Sequence, residues 1–125
     1  MDTSALGRVL LGEPDAEHVL RELTHFDRLV SSRLLRIELR RLAARESLLD
    51  VADRLLRTVA LVPIDEAVVV AAETVVPETV ATLDAIHLAT ALRIATDEGL
   101  DALVTYDRQL ARAAELHGVA PLSPS

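Results

Sequence analysis

Residues 82–118 read TLDAIHLATALRIATDEGLDALVTYDRQLARAAELHG, and this stretch decides the fold. Leu83 to about Glu98 is a strong helix, with Gly99 marking its exit. Ala102-Leu103-Val104-Thr105 follows as a short buried strand. Asp107 then opens a last helix that Gly118 stops. Helix, strand and helix succeed one another over short connections, which is the rhythm of an α/β layer.

Working outward, the same alternation covers the rest of the chain. Val119 to Leu122 reads as a final edge strand. Upstream, Val59 to Pro63 is a β-branched apolar strand, and Asp65 caps a helix through about Val75 that Pro77 ends. Arg28-Leu29-Val30 is a candidate strand, with Ser31 or Ser32 capping a helix to about Arg45; another helix runs from about Leu48 to Arg57. Pro14 and Asp15 open a helix to about Thr24. Ser4 to Leu11 is a short helix stopped by Gly12, and Met1-Asp2-Thr3 reads as the tail of a strand. Such alternation predicts right-handed crossovers and a parallel sheet covered on both faces. The expected fold is α/β, an α/β/α sandwich forming a single domain over residues 1–125.

Composition agrees. Half of the residues are hydrophobic, but Phe26 and Tyr106 are the only aromatics, so the core is aliphatic and suits helices on a sheet. With no cysteine, disulfides, zinc–thiolate sites and thiol nucleophiles are excluded. No signal peptide or apolar run near membrane-spanning length is present, and a cytoplasmic location with no membrane partner is expected. The net charge of −7 argues against a broad basic face for coating nucleic acid, yet it suits an enzyme that gathers carboxylates around a cation.

In open α/β sheets the functional crevice lies beyond the carboxyl ends of the strands. Asp2 and Asp107 fall there. Asp84 stands in the first turn of its helix, and Glu38 sits mid-helix among Leu34, Leu35, Ile37 and Leu39. Were these carboxylates to converge, their repulsion would call for a hard divalent cation such as Mg²⁺, which takes oxygen ligands and keeps several waters. Each also has an ordinary structural reading. Asp2 can cap the helix at Ser4, Glu38 can pair with Arg41, and Asp84 and Asp107 can be simple first-turn acids. Spacing alone leaves the choice open.

The surrounding motifs point one way. Met1-Asp2-Thr3-Ser4-Ala5-Leu6, Glu38-Leu39, Thr82-Leu83-Asp84-Ala85-Ile86-His87-Leu88-Ala89-Thr90-Ala91 and Leu103-Val104-Thr105-Tyr106-Asp107-Arg108 resemble, in order and spacing, the motifs of PIN domains. They are most similar to the VapC toxins of bacterial toxin–antitoxin pairs, and the resemblance spans nearly the whole chain. It implies a PIN-like sandwich with a short central parallel sheet flanked by helices. It also implies a catalytic and metal-binding quartet of Asp2, Glu38, Asp84 and Asp107 holding Mg²⁺ or Mn²⁺, with Asp2 and Asp84 as first choices for direct ligands. Thr105 matches the hydroxyl residue that helps order the site, and Ser4 takes a supporting place beside Asp2. The implied activity is endoribonuclease cleavage of RNA by metal-activated water, silenced by a cognate antitoxin protein. The alternatives are a catalytically impaired PIN-fold module that binds RNA or antitoxin, or a DNA nuclease using the same acids. In the family a few apolar residues precede the first Asp as a central strand. Here Met1 alone does.

Other residues carry less. His87 shares a helix face with Asp84, and a packed, hydrogen-bonded histidine is the expectation there, ahead of a general base. His18, His25 and His117 show no ligand spacing. Arg41 and Arg45 lie toward the Glu38 side of their helix and are candidate RNA phosphate contacts, although a solvated face explains them equally. Ser4 has no His–acid partner set that would make it a nucleophile. Leu34 to Leu56 is apolar on more than one side, in keeping with a family whose antitoxin covers the early helices and whose toxin forms a homodimer.

Overall fold

A computed structural model describes residues 1–124. In chain order the elements are α1 (Thr3–Leu10), α2 (Ala16–Leu23), β1 (Val30–Ser32), α3 (Leu34–Arg45), α4 (Leu49–Leu56), β2 (Ala60–Val62), α5 (Glu66–Thr74), α6 (Thr82–Asp97), β3 (Leu103–Val104), α7 (Arg108–Leu116) and β4 (Pro121–Leu122). Three helices start on an aspartate whose carboxylate accepts a free first-turn amide: Asp2 from Ser4, Asp65 from Val68 and Asp107 from Leu110. Helix α6 ends where Gly99 takes φ +85° and donates its N–H to Ile94 O at 3.1 Å, a conformation that side chains resist.

The strands are short and form two parallel pairs, not one continuous sheet. Val30 lies opposite Ala60 in the β1–β2 pair, and Leu103 lies opposite Pro121 in the β3–β4 pair. Met1 and Asp2 join the pairs. The Met1 ammonium donates to Val30 O at 2.8 Å, Asp2 N–H donates to Val104 O at 3.2 Å, and Ser31 Oγ donates to Met1 O. Burial draws the Met1 amine down to about 6, against the pull of the Asp2 carboxylate. The expected strand at Met1–Thr3 is therefore corrected. Asp2 caps α1 and Thr3 is already helical, so the extended run ends after one peptide. Beyond Met1, between Leu29-Val30 and Ala102–Val104, lies a cavity of about 420 Å³.

A second correction concerns β1, which spans Val30–Ser32 where Arg28–Val30 was expected. Two serines are tolerated in a buried strand because each hydroxyl has a partner. Ser31 turns to Met1, and Ser32 Oγ accepts Leu34 N–H at 3.0 Å, capping α3 from within the strand.

Two apolar cores result. One gathers Leu6, Leu10, Val19, Leu35, Leu39 and Ala43 from α1–α3 with Ala52 and Leu56 of α4. The other gathers Leu88, Leu103, Leu110, Ala113 and Val119 from α6, β3, α7 and the segment after it. Helix α6 packs on β1 and touches α3, so the two halves meet along that line. Among the described residues, no helix is long and apolar enough to cross a membrane.

Candidate active site

Of the quartet, Asp2 and Glu38 come from the first half, on the cap of α1 and in mid-α3. Asp84 and Asp107 come from the second, in the first turn of α6 and on the cap of α7. Asp2 is buried at 4 % exposure, and such a carboxylate survives only if its oxygens are bonded. They are. Oδ1 accepts from Ser4 N–H at 3.1 Å and Ser4 Oγ–H at 2.6 Å, while Oδ2 accepts from Thr105 Oγ–H at 2.6 Å. Ser4 Oγ in turn accepts Tyr106 N–H at 2.8 Å, and Thr105 Oγ accepts Asp107 N–H at 3.0 Å. Two hydroxyls thus bind the start of α1 to the β3–α7 turn, and the single-residue approach to Asp2 leaves its carboxylate firmly held.

Glu38 is half-buried, and its Oε1 accepts from Thr3 Oγ–H at 2.6 Å and faces His87 Nε2 at 2.7 Å. Burial would raise its pKa, but the His87 and Thr3 hydrogen bonds outweigh this and hold the carboxyl below its ordinary value. The expected alternative pairing with Arg41 is not what holds it.

Asp84 behaves in the opposite way. Burial first, then the charges of Asp107, Asp2 and Glu38, raise its carboxyl above the ordinary range, with His87 opposing. Those perturbing charges are the other three members of the quartet, drawn from both halves of the molecule. Asp107 spends one oxygen on the Leu110 amide at 2.9 Å. Arg41 and Arg45 are exposed on α3.

A divalent cation fits this site by charge and by donor type. All donors are hard carboxylate and hydroxyl oxygens, and Asp84 is left with an excess of negative charge that a cation relieves. Among the described residues no group of three or more His, Cys, Asp or Glu side chains forms a ready-made metal cage.

The sequence did not reveal the link from His87 to Glu38, or that from Thr3. Adjacency to Asp84 and Asp2 marked both residues, but nothing local signals a bond across 49 positions.

Comparison with known proteins accords with this arrangement. The family profile described as PIN domain matches residues 1–116. The chain belongs to the PIN-domain family. Within it, this PIN domain is 37% identical over 131 residues to ribonuclease VapC47 of Mycobacterium tuberculosis, covering 99% of this chain and 95% of that protein. It is also 37% identical over 127 residues to ribonuclease VapC46 of the same species, covering 100% of this chain and 96% of the relative. The residues matched by the family profile include the positions of Asp2, Glu38, Asp84 and Asp107.

Proposed function

We propose that the protein is a divalent-metal-dependent endoribonuclease and the toxin half of a toxin–antitoxin pair. The observation that carries this reading is the buried Asp2 that Ser4 and Thr105 tie to the Asp107 turn, beside an Asp84 whose carboxyl is raised by burial and by the charges of Asp107, Asp2 and Glu38, in a chain whose similar proteins are named ribonucleases. Asp2, Glu38, Asp84 and Asp107 would hold Mg²⁺, or Mn²⁺ in its place. A cation bound there supplies Lewis-acid charge at a phosphodiester and lowers the pKa of a coordinated water. The protein's own part is orientation. Thr105 and Ser4 fix both Asp2 oxygens, Thr3 and His87 fix one Glu38 oxygen, and Asp107 is seated by its cap bond. Exposed Arg41 and Arg45 take RNA phosphates beside the site, as guanidinium does.

The firm anchoring of Asp2 favours catalysis over an impaired binding module. An RNA substrate implies work in the cytoplasm, under control of a cognate antitoxin. Self-association as a homodimer fits the exposed apolar side chains Val69, Val70, Val76 and Leu83. Purified protein incubated with total RNA, with Mg²⁺ and with chelator, tests the activity. Discrete cleavage in Mg²⁺ that stops on chelation is expected, and intact RNA under both conditions, or cleavage of DNA alone, rejects it.

A further inference from the structure

We infer that His87 is a positioning residue of the site, saturating Oε1 of Glu38 together with Thr3 so that Oε2 alone is left for the cation. This rests on the metal-dependent reading above and adds a residue to it. The Glu38 carboxylate is the acceptor, so Nε2 carries the hydrogen of the 2.7 Å bond. Thr3 Oγ–H takes the other lone pair of the same oxygen at 2.6 Å. One donor comes from α6 and one from α1, and the carboxylate between them belongs to α3.

A free glutamate rotates broadly about its last bond. Here the Thr3 and His87 donors are what fix that rotation. With them, its orientation is set before any ligand arrives, which is what preorganisation of a site requires.

Packing alone does not account for His87. Its side chain is 2% exposed, and Nδ1 is buried with no partner in the protein. An apolar side chain of similar size at that point, beside Ala85, Leu88 and Ala91, would leave no orphaned nitrogen. What the imidazole provides that such a side chain lacks is the bond to Glu38.

The test compares His87→Leu, His87→Gln and Thr3→Val with wild type by Mn²⁺ titration, RNA cleavage and thermal unfolding. His87→Leu should melt near wild type yet bind Mn²⁺ about 10–100-fold more weakly, the usual effect of losing a residue that orients a metal ligand. Its cleavage rate should fall in parallel. His87→Gln presents an amide N–H toward the same oxygen and should recover most of both losses. Thr3→Val should weaken Mn²⁺ binding in the same direction from a different helix, and it decides the matter with His87→Gln if His87→Leu does not fold. Folded variants that bind Mn²⁺ and cut RNA as wild type does overturn the role of His87, as does a Gln variant no better than Leu. Wild type that neither binds Mn²⁺ nor cuts RNA overturns the functional reading itself, and the role of His87 with it.

Discussion

At the scale of single residues, the Thr105 hydroxyl links Asp2 to Asp107. It donates to the buried Oδ2 of Asp2 and accepts the Asp107 amide, so removing it strands two polar groups at once. Thr105→Val keeps the volume and should cost about 1–3 kcal/mol in urea unfolding, the range for leaving a buried partner unsatisfied. Thr105→Ser should lose far less. Equal stability of the two variants would mean the hydroxyl contributes nothing to the fold. The four candidate acids stood out in the sequence because each lies at a cap, in a first turn or at a motif centre. Ser4 was legible only as a neighbour of Asp2. Its bond to Tyr106 N–H depends on two segments 102 positions apart meeting, which no local pattern encodes.

At the scale of elements, the helices were readable and the strands less so. Helices α5 and α7 begin on capping aspartates, and α5, α6 and α7 stop near Pro77, Gly99 and Gly118, signals that act locally. Strand β1 is placed by its partner. Leu29 O accepts Ala60 N–H at 2.9 Å and Arg33 N–H donates to Val62 O at 2.8 Å, and this pairing carries the strand into the two serines. The expected first strand failed because Asp2 serves α1. Asp2 keeps extended backbone and donates to Val104 O while its carboxylate caps the helix, and Thr3 is already helical, so no strand can run on to Thr3. The cavity beyond Met1, between Leu29-Val30 and Ala102–Val104, is lined by apolar side chains such as Phe26, Ile94 and Leu100 and by the charged Asp27, Arg28, Glu98 and Asp101. Adding three apolar residues ahead of Met1 should extend a parallel strand into it, burying side chains and pairing backbone on both sides. Urea melts should show a gain of roughly a few kcal/mol, judged from ordinary burial of such side chains. An unchanged midpoint would show that this space does not accept a strand.

At the scale of the whole molecule, the proposed site draws Asp2 and Glu38 from one half and Asp84 and Asp107 from the other, so a ligand bound there would tie the halves together. Ion binding to the native state alone raises stability by mass action. Millimolar Mg²⁺ or Mn²⁺ should therefore raise the melting temperature. The raised carboxyl of Asp84 is lowered when a cation binds, so at a pH low enough to leave it partly protonated, binding should also release protons in a weakly buffered calorimeter. The sign of the metal-free pH effect follows from the same shift. Asp84 favours the fold while protonated, and that contribution is lost as pH rises through its elevated folded value, leaving neutral, metal-free protein with unrelieved repulsion. Asp84→Asn removes the charge and little volume. It should melt no lower than wild type without metal and should lose the metal-induced rise. The central claim is that these four carboxylates form one metal-dependent centre for cutting RNA. The most direct measurement is cleavage of an end-labelled RNA by wild type and by Asp84→Asn, in Mg²⁺ and in chelator, with the cut ends analysed. Cleavage by wild type in Mg²⁺ alone, without 2′,3′-cyclic phosphate ends, is the expected result. Equal cleavage by folded Asp84→Asn, or undiminished cleavage in chelator, would contradict it.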